Sequence, residues 1–385
     1  MKNNSHKTVL GDGSAVVPPA SSEAERRKRL KASFLHGSGV YAHRGSALYS
    51  YLCSQIAEDR QLLAIADSSP AASQRDYHFL AAIHYLLLDP ANADHRLARF
   101  YPTLTSDPLA PEQSFAAFRA FCLENASAVQ SVLQSKPLQI TMAERAAGLS
   151  LSLGELAAQT SLEFNLIEIG CSAGLLLLFD QYRYDFGRFG RLGKSSAPGP
   201  ITTELAGVNA RRPSCIPHVR DRIGIDLDPL DVESSSGRRW LSALLYPEWK
   251  IERDNLHAAL SVLVKRRPQI EKGDALELLP GVASHLEGPV CVFHSFCLYY
   301  WSVEEKRELD RLLLQIASDR PVYRLGIESP AKYIAIAKGE QASRQGFDRS
   351  EFFAEVTCTS YQDGVVASHL WAKCGAFSEW FEWLI

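Results

Sequence analysis

Residues 166 to 180 read LIEIGCSAGLLLLFD, a short apolar run, a loop of small residues, and a second apolar run long enough to begin a helix. Two chemistries share this spelling. Gly170-Cys171-Ser172-Ala173-Gly174 fits the G-x-S-x-G elbow that presents a nucleophilic serine on a strand-to-helix turn. Glu168-x-Gly170-x-x-x-Gly174 fits a glycine loop that lets a nucleotide-like ligand meet backbone amides and the positive end of a helix.

Downstream, short apolar runs each end in a polar or acidic residue: FNLIEIG, RIGIDLD, QIEKGDA, PVCVFHS and VYRLGIES. Helical stretches such as RRWLSALL, NLHAALSVLVKR and VEEKRELDRLLLQIA lie between them. Strand alternating with helix predicts a mostly parallel sheet covered on both faces. EFFAEVTCTSY and VVASHLWAKC, joined by the turn signal QDG, predict an antiparallel C-terminal hairpin at one edge. An insertion at about 185–220, rich in Gly, Pro, Ser and Arg, is longer than a crossover needs. It is expected either to lie over the C-terminal strand ends as a lid or to be a surface excursion.

Upstream the period is helical. Leu48, Tyr51, Leu52 and Ile56 fall on one helix face, 76–88 is apolar nearly all round, and 112–134 repeats the pattern with Phe115, Phe118, Cys122, Val129 and Val132. The expected organisation is a disordered tail over 1–25, an α-helical cap over 26–135 and an α/β domain over 136–385.

The chain has 385 residues, 46% hydrophobic and 22% charged, which is ordinary for a globular protein of one or two domains. A net charge of -3 gives no general attraction for nucleic acid or an anionic membrane. No run approaches the ~18 apolar residues of a spanning helix, and the N-terminal residues lack the apolar core of a signal peptide. The eight cysteines are scattered, with no C-x-x-C pair and no Cys/His cluster at zinc spacing. These features predict a cytoplasmic protein with reduced thiols, no metal, and neither nucleic acid nor membrane as partner.

A serine hydrolase needs a base, an acid and oxyanion donors besides Ser172. His294 and His369 lie downstream, and His36-Gly37-Ser38-Gly39 imitates an oxyanion loop. The imitation fails on context, since a charged helical stretch precedes it where an apolar strand is needed, so HGSG reads as a helix-capping turn. The cofactor reading finds company instead. Glu168 ends the first strand before Gly170, Cys171, Ser172, Ala173 and Gly174. Asp226 ends the second strand with Asp228 just beyond, either able to take two ribose hydroxyls. Asp274 ends the third, near an adenine amine, with the Ala275 amide facing the ring. Acidic strand ends also arise because helices want acceptor caps, which accounts for one of Asp226 and Asp228.

This pattern resembles the class I S-adenosylmethionine-dependent methyltransferases, whose fold is a Rossmann-like, mostly parallel sheet; a dinucleotide site would show G-x-G-x-x-G. The resemblance implies S-adenosyl-L-methionine as cofactor. A closer one covers most of the chain: YSYLCSQIAED, FLAAIHYLLLDP, IEIGCSAGLLLLFDQYRYDFG, RIGIDLDPLDV, GDALELLP, VFHSFCLYYWS and GAFSEWFEW are similar to the uncharacterised family called domain of unknown function 2332. Where that family usually has asparagine after the loop this chain has Leu176, and where it tends to read Q-T-N-E this chain has Gln139-Ile140-Thr141-Met142.

His294 and Ser295 end the fourth strand, where the resemblance places residues facing the substrate, followed by Tyr299, Tyr300 and Trp301. His294 is the candidate catalytic base, with a hydrogen-bonded structural role as its alternative. No D-P-P-Y or N-P-P-Y follows that strand, which disfavours methylation of a DNA base. The resulting expectation is methyl transfer to a small molecule. The alternative is a catalytically degenerate fold that binds a cofactor or partner.

Overall fold

The computed structural model describes residues 22–71, 74–197, 199–211, 213, 215–330 and 353–385. Ser22 caps helix α1 (Glu23–His43), so residues 23–25 are helical; the rest of the expected tail lies outside the described residues. HGSG lies inside α1, neither an oxyanion loop nor a cap. Ser46 and Asp59 cap α2 (Ala47–Ile56) and α3 (Arg60–Ala66) with their side chains. On α2 the buried face is Leu48, Tyr49, Leu52, Cys53 and Ile56, while Tyr51 is only partly buried. α4 (Arg75–Leu87) is enclosed nearly all round, as its sequence predicts. The stretch 112–134 splits into α5 (Phe115–Glu124) and α6 (Ala126–Ser135), because the Asn125 side chain turns back to donate to the Phe121 carbonyl at 2.9 Å.

Helix α7 (Ala146–Thr160) leads into strand β1 (Phe164–Ile169). The insertion supplies β2 (Tyr184–Asp185), β3 (Arg191–Leu192), β4 (Ile201–Thr202) and β5 (Glu204–Ala206). The chain continues through β6 (Val219–Asp226), α8 (Ser235–Ala243), α9 (Lys250–Arg266), β7 (Gln269–Lys272), α10 (Ala275–Ser284) and β8 (Val290–Ser295). It ends with α11 (Val303–Ile316), β9 (Val322–Glu328), β10 (Phe353–Gln362), β11 (Val365–Gly375) and β12 (Trp380–Trp383).

Nine strands form one mixed sheet in the order β5-β12-β11-β10-β9-β8-β1-β6-β7, parallel from β9 to β7. After β1 the chain steps outward through β6 and β7, then returns to β8 on the other side of β1. The reversal falls at the carboxyl ends of β1 and β8, the position at which open α/β sheets bind ligands. Side chains alternate across this sheet. Leu166, Phe293 and Leu325 pack with α7 and α9, whereas Ile167, Ile225 and Val292 pack with α10 and α11.

The C-terminal hairpin forms through a two-residue turn, Asp363 and Gly364, both at positive φ (52° and 76°), the geometry that matches strand twist. It is not at the sheet edge, because β12 pairs with Ala372–Cys374 and β5 pairs with β12. The insertion is a packed body, burying Tyr184, Phe186, Ile201 and Leu205 in the same core as α7.

The helical core does not stop at residue 135. Helix α8 turns Trp240 and Ala243 into it, together with Leu244 and Tyr246 just beyond. Trp240 is fully buried, and its indole donates to the Pro137 carbonyl at 2.9 Å. The Glu248 carboxylate accepts from the Ser46 hydroxyl at 2.6 Å and the Leu48 amide at 2.8 Å, docking the start of α2. Truncating Trp240 to alanine leaves a cavity at this seam, and such losses cost about 3–5 kcal/mol. Urea denaturation of Trp240→Ala is expected to show a midpoint lowered accordingly; an unchanged midpoint would refute a shared core.

Candidate functional site

The loop after β1 takes a backbone geometry that few residues tolerate. Gly170, Ser172 and Gly174 all take positive φ (73°, 51° and 78°), which for a serine is strained. A Cβ on Gly170 would lie 2.4 Å from Cys297 Sγ, so the approach of the loop after β8 requires glycine there. Asp226 supplies the brace: one carboxylate oxygen accepts from the Ser172 amide at 2.7 Å and the other from the Asp228 amide at 2.9 Å. The Ser172 hydroxyl donates to Gln139 Oε1 at 3.1 Å, and Gln139 Nε2 donates to the Asp228 carbonyl at 3.0 Å. Gln139 thereby closes a ring over the loop.

Two expectations about this loop are corrected. No α-helix follows it: residues Leu176–Gln181 form 3-10 turns with a non-helical kink at Leu178, so the loop does not run into a helix N-terminus. The loop amides are also largely spent, those of Gly170 and Cys171 on the Ile225 carbonyl, Ser172 on Asp226 and Gly174 on the Cys171 carbonyl. Leu176 is buried in the core beside Leu177.

A second brace repeats the first on the other side of β1. Glu328 Oε1, at the end of β9, accepts from the amides of Cys297 and Leu298, each at 3.0 Å, and pairs with His294 Nδ1 at 2.7 Å. His294 is buried and points to the α10–α11 face, because it is in register with Ile169. Burial lowers its pKa against the opposing pull of Glu328. Glu168, in register with Phe293, faces the other side.

Glu168 is 2% exposed, and its Oε2 is buried with no hydrogen-bond partner. Burial, and then the charge of Asp226, push its carboxyl well above the ordinary range, while the Leu177 amide and Arg145 act the other way. The Ser295 hydroxyl and Glu328 Oε2 are likewise buried without partners. The Tyr299 and Tyr300 rings lie 3.9 Å apart and tilted by 36°, their hydroxyls hydrogen-bonded, with Tyr300 on the surface. Arg145, in the turn before α7, is buried, its guanidinium carbon 4.3 Å from the Phe296 ring centroid and 5.7 Å from that of Phe377. Its neighbour Glu144 anchors the turn to α9, accepting from Asn255 Nδ2 at 2.8 Å.

The remaining candidates stand apart from this group. The Asp228 carboxylate is largely exposed and pairs with Lys272 at 2.7 Å. Asp274 caps α10, accepting from the Leu276 amide at 2.8 Å, with Ala275 as its first residue. A serine triad is not assembled: Ser172 bonds Gln139, His294 bonds Glu328, and His369 is exposed on β11. Sequence reading missed Arg145, hidden in ERAAGL as the start of a helix, and Glu328, whose signal was present as one more acidic strand end.

A family model described as "Uncharacterized protein conserved in bacteria (DUF2332)" matches residues 31–383, and the chain belongs to that family. No curated protein matches it. Among solved structures it is similar to a protein from Pyrococcus horikoshii proposed to be an RNA methyltransferase, at 12% identity over 59% of this chain and 77% of that one, with a TM-score of 0.20. A superposition at that score carries no argument about this chain. Among the described residues, no helix is long and apolar enough to cross a membrane.

Glu144 makes the turn before α7 sensitive to pH. Burial pushes its carboxyl from 4.5 up to about 7. The unfolded chain ionises first, so the stability of the wild type falls as pH rises from about 4.5 to about 7 and the penalty is complete above that. Urea midpoints of Glu144→Gln are expected to match the wild type near pH 4 and to exceed it at pH 8. Parallel curves across that range would contradict the assignment.

Proposed function

We propose that the protein is an S-adenosylmethionine-dependent methyltransferase of Rossmann-like, class I type, acting on a small molecule at the carboxyl ends of β1 and β8. The observation that carries this reading is Glu168: a buried acid with an unpartnered oxygen, on β1, beside a loop with three residues at positive φ. A buried acceptor without a donor costs about 1–3 kcal/mol, which a ligand's ammonium group recovers. The strand order supports the same reading, because the switch point falls beside this residue.

The donor set fits such a cofactor unevenly. Glu168 would receive the amino group. Asp226 already has an amide on each oxygen, so Asp228, whose carboxylate needs only to leave Lys272, would take the ribose. Asp274 and Ala275, at the start of α10, would flank the adenine. When bound, the cofactor would supply a methyl group on a sulfonium centre. His294 then acts through Glu328 as a positioning residue, holding the loop that carries Tyr299 and Tyr300, instead of serving as a base.

One observation favours a second reading, binding without turnover: the loop lacks the helix that its apolar continuation predicts. Incubation with methyl-labelled cofactor and cell extract separates the two, since a binder leaves the label untransferred.

Isothermal titration with S-adenosylhomocysteine tests the site itself. Wild type is expected to bind with one ligand per chain. Removing a charged hydrogen bond costs about 1.5–3 kcal/mol, so Glu168→Gln should weaken binding by roughly tenfold or more. No heat with wild type, or equal affinity in Glu168→Gln, would sink the cofactor assignment.

A further inference from the structure

Arg145 is 8% exposed, the one arginine among the described residues that is buried. Its polar contacts are Nε to the Ala376 carbonyl at 3.2 Å and Nη1 to the Ile140 carbonyl at 3.3 Å. No carboxylate among the described residues lies within ion-pair distance of it. Less buried arginines do have one, as Arg222 has Asp180 at 2.5 Å and Arg119 has Asp59 at 2.7 Å. Leaving a buried cation without an anion is costly, and proteins normally pair it.

The surroundings of Arg145 suit a planar anion. The guanidinium carbon lies 4.3 Å from the Phe296 ring centroid and 5.7 Å from that of Phe377, and a guanidinium held among aromatic rings keeps a planar fork for a carboxylate. Arg44 lies over the same Phe377 ring at 5.1 Å and adds a second positive charge. Burial pulls the Arg145 pKa down to about 10, so it remains a cation at neutral pH. The loop amides that would otherwise receive an anion are committed elsewhere, as the bonds of Gly170, Ser172 and Gly174 show. Glu168 lies close enough for the two charges to act on one another.

We propose that Arg145 is a binding residue for a carboxylate carried by the ligand at the carboxyl ends of β1 and β8. Two sources share this chemistry: the amino-acid end of the cofactor, in which case the inference rests on the methyltransferase reading, or an organic acid acceptor. Arg145 and Glu168 together then form a site of opposite charges, one reading an anion and the other a cation.

Titration calorimetry on Arg145→Gln and Arg145→Lys, both checked for wild-type melting and circular dichroism, separates these sources. The probes are S-adenosylhomocysteine, 5′-methylthioadenosine, which lacks the amino-acid end, and benzoate against its neutral isostere benzamide. If the cofactor supplies the carboxylate, both variants should lose roughly tenfold or more for S-adenosylhomocysteine and keep their affinity for 5′-methylthioadenosine. A general distortion would weaken both nucleosides alike and overturn the proposal. If the acceptor supplies it, nucleoside binding stays unchanged while wild type prefers benzoate to benzamide and Arg145→Gln loses the preference. Wild-type binding of S-adenosylhomocysteine that is indifferent to Arg145, with no preference for benzoate, overturns this proposal and leaves the methyltransferase reading intact. A wild type that binds benzoate selectively but no nucleoside does the reverse, and one that takes neither overturns both.

Discussion

A carboxyl group taken out of water must be hydrogen-bonded, paired with a cation or neutralised, and the centre of this protein holds three at strand ends, Glu168 and Asp226 buried and Glu328 half-buried. Asp226 has a backbone amide on each oxygen and Glu328 has two on one oxygen, and these bonds fix the loops after β1 and β8. Glu168 stands between them and, like Glu328, has one oxygen unmatched. Its neighbour Asp226 makes ionisation still harder. The strained Ser172 backbone, the approach of Cys297 to Gly170 and the burial of His294 all follow from the two braces.

The helices and the sheet are not independent bodies resting on each other. Trp240 and Tyr246 come from the α/β half of the chain yet complete the helical core, and Glu248 fastens the start of α2. Arg145 sits in the turn at which the chain passes from helices to sheet, and its Nε bond to Ala376 ties that turn to the end of β11.

Much of the sheet was legible because parallel strands buried on both faces are short apolar runs, and FNLIEI, RIGID and VCVFHS have no other comfortable place. The acids at their ends were legible too. Their roles were not, because whether Asp226 binds a ribose or an amide depends on where Ser172 points, which no local pattern records. The helix after the loop was misread for a related reason: LLLLFD has helical composition, but its leucines fill the space between α7, α9 and the sheet as 3-10 turns. Arg145 was invisible since its meaning lies in Phe296 and Phe377, more than a hundred residues away in sequence.

The central claim is that Glu168 is the acid that meets a cationic group, and proton linkage measures it most directly. A carboxyl raised by burial gives up its proton when an ammonium group arrives, and titration calorimetry in buffers of different ionisation enthalpy counts that proton. Just above the ordinary carboxylate range, binding of S-adenosylhomocysteine to wild type should release a proton that Glu168→Gln does not release. Equal proton release by the two proteins would contradict the account.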